Sequence, residues 1–470
     1  MASRSAVEPR EPRHLRQTFE LRDVDWSDPF ETVRKGKRLI SSRTGLIRHV
    51  GPGAFRQGDT RCFSLGVSAC DTSRFSSRGN SGIKSGGGGA TFEVALAASI
   101  GEAAERYCML FYDRDEMIFA PHREVAADAV APELLRLFSR PQVENPPPRY
   151  RADYFDEDAP VSWVWGWSLT ENRPKLVPAT LVYLGFEYRD GEAVTGRNAS
   201  SGLSAGGTLE EAILSGLYEV IERDAFTIHW LQRHMGPRIE IDDEAIDRLV
   251  RERYYPDHPD VDLAVYDVSL DLGVPSVLTI LTRPAEYGTV LCVGSASRLS
   301  ARDAVYKTLV ESSQALPYFR FQLDRLADWE PAEDFSDLRN FEEHSLLYIK
   351  RPELKEEAFR FCREVDRRVV LSDLPELATG RPLGDLERTV GLLAKAGYEV
   401  VVADITTPDI AEVGFHVVRV IVPGLVPLHG DHNMPFLGQQ RLESIPRDLD
   451  WQRFGWDPTA GINPYPHPFP

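Results

Sequence analysis

Apolar residues surround two long stretches of the chain on nearly every side. FEVALAASIGEAAERYCMLF covers 92–111, and LEEAILSGLYEVIERDAFTIHWL covers 209–231. Helices that are apolar all round belong in an interior. Thr91 and Thr208 are placed as N-caps, and Glu211 completes a capping box with Thr208. A third helix is predicted over 300–319. Strands are predicted for SWVWGWSL (162–169), KLVPATLVYLGF (175–186), VDLAVYDVSL (261–270), PSVLTILTR (275–283) and TVLCVGSAS (289–297), from their β-branched and aromatic content. A strand pair is expected over Leu39–Val50, with Thr44-Gly45 as its turn. Segments 140–160 and 195–207 read as a surface linker and a loop. Further alternating segments run to 425. The fold class is α+β, a mixture of helices and mostly antiparallel sheets.

The two apolar helices share a feature. Each follows a glycine-rich loop and carries Glu-x-x-Glu-Arg: Glu102, Glu105 and Arg106, then Glu219, Glu222 and Arg223. This weak repeat points to two pseudo-related halves. Residues 1–38 read as a loose arm, 39–430 as the main domain and 431–470 as a C-terminal segment. That segment ends in Pro464, Pro466, Pro468 and Pro470, alternating with Tyr465, His467 and Phe469. Proline fixes φ and removes a donor, so this end is an extended rod. Its aromatics set it apart from an ordinary frayed terminus.

Composition narrows the function. Across 470 residues, 54 Lys and Arg face 72 Asp and Glu, giving a net charge of −18 and excluding a nucleic-acid grip. The five cysteines, Cys62, Cys70, Cys108, Cys292 and Cys362, form no CxxC pair. A structural zinc site is therefore not expected, and reduced thiols in the cytoplasm are. The N-terminus lacks an apolar signal region, and no run of 18 apolar residues spans a membrane.

On a helix, positions i, i+3 and i+4 share a face, so each ExxER motif directs two carboxylates and a guanidinium together. On a surface this is an ordinary ion-pair stripe. On an apolar helix the carboxylates need compensation. Four glutamates face two arginines, and Glu211 and Glu311 deepen the deficit. A divalent cation supplies the missing charge most simply, and an all-oxygen donor set suits Mg²⁺ shared with substrate phosphates. Arginine forks suit phosphate oxygens. The combination reads as a triphosphate site without a P-loop, since neither GxxxxGK[ST] nor a strand-linked GxGxxG is present. Gly86 to Gly89 would add backbone donors near a helix N-terminus.

These residues resemble the YcaO family. Ser99-x-x-Glu102-x-x-Glu105-Arg106 is similar to its first ATP motif, and Ser204-x6-Glu211 followed by Glu219-x-x-Glu222-Arg223 resembles the second. Lys307-x3-Glu311-x-x-Gln314 matches the third, with lysine where the family commonly has arginine. Gly207 stands where asparagine is frequent. DITTPDI (404–410) and VIVPGL (420–425) resemble the family's C-terminal half. The resemblance implies an ATP- and Mg²⁺-dependent cyclodehydratase acting on a ribosomally made precursor peptide. In that chemistry a Cys, Ser or Thr side chain attacks the preceding carbonyl, and phosphorylation of the amide oxygen yields an azoline.

By the same resemblance, Glu102, Glu105, Glu219 and Glu222 hold metal. Ser99, Arg106, Ser204, Glu211, Arg223, Lys307, Glu311 and Gln314 hold nucleotide. The Pro-x-Pro-x-Pro ending, found in azoline-forming members, would bring the Pro470 carboxylate to the reacting peptide, as base or as structural element. Deleting the tail is then expected to stop cyclisation and leave ATP binding largely intact. A separate E1-like or ThiF-like partner is expected to capture the leader peptide, and a homodimer is left open. Thioamide formation is an alternative chemistry. A non-catalytic ATP-binding scaffold is an alternative of another class. His429, Asp431 and His432 read as a polar turn rather than a metal site, and His229, Trp230 and Cys108 as packing.

Overall fold

Glycine, not only apolar periodicity, sets how the main helices meet their sheets. The computed structural model describes residues 15–53, 55–56, 59–73, 84–196, 200–253 and 261–469. Three strands, β1 (Ile47–Pro52), β2 (Phe63–Ala69) and β3 (Lys84–Gly89), form an antiparallel sheet. Strand β3 reads KSGGGG, and a Cβ on Gly87 would overlap the backbone at Ala95 and Ser99. Helix α2 (Phe92–Cys108) therefore lies directly against bare strand backbone. Thr91 caps it as expected, accepting the Val94 N–H.

A second sheet has the order β4 (Ile118–Pro121), β5 (Pro160–Ser168), β13 (Val401–Asp404), β14 (His416–Ile421) and β7 (Leu203–Gly206), with β6 (Arg173–Pro178) also paired to β5. All its pairings are antiparallel. Helix α3 (Leu209–Leu231) packs on β7 and β14, and its predicted capping box is present. The third sheet runs β11 (Gly288–Ser297), β10 (Ser276–Ala285), β9 (Asp262–Asp267), β8 (Arg238–Glu240) and β12 (Arg368–Val370), with β12 and β8 parallel. Helix α4 (Ala301–Ser313) covers it, and Gly294 again admits the helix backbone at Thr308. Thus glycine-bearing strand, Thr or Ser cap and helix recur three times.

Several expectations are corrected. The strand pair over Leu39–Val50 is a single strand, β1. Its antiparallel partner is β2, while Ser41 to Gly45 closes a turn. The loop at 195–207 contains β7, because LSAG pairs with β14, although residues 197–199 lie outside the described chain. The 140–160 linker holds a short helix, Arg140–Glu144, and buries Phe155. The helix over 300–319 breaks at Gln314, which separates α4 from α5 (Ala315–Arg325). KLVPATLVYLGF leaves β6 for a short helix at Ala179–Val182.

The arm is also revised. Residues 1–14 lie outside the described chain, but 15–38 are part of the fold. Leu15 and Phe19 are buried against Trp167, and α1 (Pro29–Gly36) packs on α2. Apolar anchors spaced among many charges had hidden this packing.

Candidate active site

Helices α2, α3 and α4 converge on one cavity of about 1620 Å³. That exceeds the usual volume of a small-molecule site, roughly 300–1,000 Å³. Glu102, Glu105, Arg106, Ser204, Glu211, Glu219, Glu222, Arg223, Lys307, Glu311 and Gln314 all line it. Ser99 does not. Its side chain is fully buried and its hydroxyl donates to the Ala95 carbonyl at 2.7 Å. Its hydroxyl also lies 3.4 Å from the Leu65 carbonyl of β2, so it serves packing, and its expected contact with nucleotide is not supported by its position.

Three of the four ExxER carboxylates are held by backbone N–H groups in or beside the strands that precede the helices. Glu102 accepts the Gly86 N–H at 2.9 Å and Arg106 at 3.2 Å. Glu105 accepts the Ala205 N–H at 2.7 Å, from β7 of the other half. Glu219 accepts the Gly202 N–H at 3.3 Å. Arg223 stands 3.7 Å from Glu219 and 3.5 Å from Glu222, and Lys307 pairs with Glu311 at 2.7 Å. Gln314, at the break before α5, meets the space in front of Gly88.

The electrostatics match the deficit seen in the sequence. Glu105 touches cavity solvent but lies deep in the protein. That burial, with the neighbouring Glu102 charge, pushes it up to about 8. Burial likewise pushes Glu222 to about 8 against the pull of Arg223, and Glu311 and Glu219 add to the rise. Glu219 is raised too, chiefly by burial. Oε1 of Glu222 is buried and accepts no hydrogen bond from the described residues.

Glu211 is engaged differently from expectation. Its carboxylate accepts the Ser27 hydroxyl at 2.6 Å, the Ser27 N–H and the Thr208 N–H. Next to it, Glu210 accepts the Arg22 N–H. Arg381 pairs with Asp23 and Asp25, and the Trp26 indole donates to the Gly380 carbonyl. The arm is thereby strapped across the cavity mouth, where Trp26, Ser27 and Thr32 join the lining. The Ser27 hydroxyl also lies close to Gly207, the position noted for its missing asparagine. Nothing in the local sequence around Trp26 signals this. Arg298 and Arg320 also line the cavity and were missed, because they lie outside the repeated motif.

The tail reaches the same place. Trp230 donates to the Tyr465 carbonyl, Tyr348 to the Pro466 carbonyl, and His467 Nε2 lies 2.6 Å from the His429 carbonyl. Trp230 therefore does more than pack. Phe469 is buried and lines the cavity. Pro470 lies outside the described residues. Asp431 accepts the Tyr150 hydroxyl, and no metal-holding cluster of three or more His, Cys, Asp or Glu occurs among the described residues.

A family model described as YcaO cyclodehydratase, ATP- and Mg²⁺-binding, matches residues 86–426. The chain belongs to the YcaO family. It is 29% identical over 349 residues to an uncharacterised protein of Methanothermobacter thermautotrophicus, covering 72% of this chain and 80% of that one. It is 25% identical over 320 residues to an uncharacterised protein in the tfuA 3′ region of Rhizobium leguminosarum bv. trifolii, covering 61% of this chain and 66% of that one. Among solved structures, it is similar to a heterocyclase in complex with substrate and cofactor, at 25% identity and a TM-score of 0.76. That match covers 97% of this chain, which spans 60% of the heterocyclase. A YcaO protein of Methanopyrus kandleri bound with AMPPCP and Mg²⁺ shares the fold at 22% identity and a TM-score of 0.60, over 85% of this chain and 91% of that one. Family membership makes this an ATP-dependent enzyme type.

The residues of this YcaO chain fit magnesium and a nucleotide. Carboxylates kept near neutral by burial, one with an orphaned oxygen, are what a cation would ionise and bind. The four metal candidates line one cavity, but no three stand together as ligands of one ion.

Proposed function

We propose that this YcaO protein is a cyclodehydratase that converts Cys, Ser or Thr of a ribosomally made precursor peptide into thiazoline or oxazoline. The observation that carries this reading is the tail. Its described part, buried from Pro466 to Phe469 and pinned through its backbone, reaches the carboxylate-lined cavity, with Phe469 in the wall. The 97% coverage by a heterocyclase fold at a TM-score of 0.76 supports the same chemistry.

In this reading, Glu102, Glu105, Glu219 and Glu222 hold magnesium. Arg106, Arg223 and Lys307 grip phosphate oxygens, with Ser204, Glu311 and Gln314 around them. When bound, ATP supplies a phosphoryl group that makes the amide oxygen a leaving group, and Mg²⁺ spreads the charge. The cavity walls orient the peptide so that its side-chain nucleophile faces the preceding carbonyl carbon. The thiol or hydroxyl proton is lost as its sulfur or oxygen bonds to that carbon, the carbon–oxygen bond breaks with the oxygen leaving on phosphate, and the ring nitrogen loses its proton. The Pro470 carboxylate is the proposed acceptor for a proton released there. Glu211 anchors the strap that closes the nucleotide end. A separate leader-binding partner presents the precursor.

The test is mass spectrometry of a precursor peptide incubated with this protein, its partner and Mg·ATP. Loss of one water per modified residue, matched by ADP and phosphate, is expected. Exchange of oxygen for sulfur would replace this reading with thioamide formation. Binding of ATP without peptide-dependent hydrolysis would leave a scaffold.

A further inference from the structure

The two repeated arginines are fixed in different ways. Arg106 is tied to Glu102 by a 3.2 Å hydrogen bond. Arg223 makes no hydrogen bond to Glu219 or Glu222, which stand at 3.7 and 3.5 Å. Instead its guanidinium lies over the ring of Phe469, 4.3 Å from the centroid. A ring contact spends none of the fork's N–H donors, whereas a carboxylate consumes them.

Phe469 is itself held firmly. Its ring meets Phe226, one turn beyond Arg223 on α3, at 4.6 Å edge to face. Its N–H donates to His467 Nδ1, and the His467 carbonyl lies 2.9 Å from His344 Nδ1. We propose that Phe469 is a positioning residue: the C-terminal rod sets the Arg223 fork with its N–H edge free for the phosphates. This rests on the nucleotide reading given above and extends it to the tail. Tail removal then weakens nucleotide binding as well as chemistry, contrary to the expectation from sequence.

The experiment is calorimetric titration of the full chain with Mg²⁺ and AMPPCP. Phe469→Ala and Phe469→Leu should each weaken binding by about three- to thirtyfold, the range of a desolvated cation–π contact. Phe469→Tyr should bind as the native protein does. In an Arg223→Ala background, Phe469→Ala should have no further effect. Leu keeps an apolar side chain against Phe226, so equal melting temperatures for Leu and native proteins separate positioning from unfolding. Native affinity in the Leu variant, or an undiminished Phe469→Ala effect without Arg223, overturns the assignment. Failure of the native protein to bind AMPPCP overturns the nucleotide reading itself, and this inference with it.

Discussion

Arg441 meets Asp224 at 2.9 Å with both side chains withdrawn from solvent, one position beyond Arg223 on α3. Asp224 also accepts the Val426 N–H, and Arg441 continues to Asp271 and the Tyr398 hydroxyl. The pair anchors the C-terminal segment to the helix that carries the second ExxER motif. Removing one partner strands a buried charge, so Arg441→Met should cost about 3–5 kcal/mol in urea unfolding. The double variant Arg441→Met with Asp224→Leu should recover most of that loss.

Replacing Glu222 separates stability from function. Burial raises its carboxyl to about 8, so near pH 7 the protonated form already dominates without metal. Glu222→Gln should therefore melt within about 1 °C of the native protein in the absence of Mg²⁺. ATP turnover with peptide should fall by at least about a hundredfold, as expected when a charge-stabilising group is lost. A large loss of melting temperature without metal would contradict this.

The tail's clamp predicts acid sensitivity. His344 is lowered to about 3 and His432 to about 4, while His429 and His467 are also driven down, all chiefly by burial. Asp431 opposes this at His432. The unfolded chain takes up protons near 6.5 that the folded clamp refuses. Stability is thus present above 6.5 and falls as pH drops from there toward 4. Each such histidine costs about 1.4 kcal/mol per pH unit in that window. Urea midpoints measured from pH 7 to 4.5 should decline, and less steeply in His467→Gln.

The strap depends on Glu211. Glu211→Ala removes the acceptor for both Ser27 donors and for the Thr208 N–H. Limited proteolysis should then cut near Trp26 at least several-fold faster than in the native protein. The loss of the cap should lower stability by about 1 kcal/mol. Unchanged cleavage would show that Arg381, Gly380 and Glu210 hold the strap without Glu211.

Much of the site was legible because helix geometry is local. Glu102, Glu105 and Arg106, like Glu219, Glu222 and Arg223, share a face by spacing alone, and their apolar neighbours announced burial. Ser99 misled because its motif position looks polar, while its hydroxyl is used by its own helix. Asp224 was passed over for a related reason: its partner, Arg441, lies 217 residues away in the chain.

The sequence by itself determined the two apolar helices, their threonine caps, the charge deficit and the stiff final rod, since each follows from contacts within a few residues. Only the tertiary structure decided which strand borders β1, that the arm straps the cavity through Glu211, and that Phe469 lies under Arg223. Those are meetings between segments distant in the chain. They are selected by the joint packing of three sheets and not by any local preference.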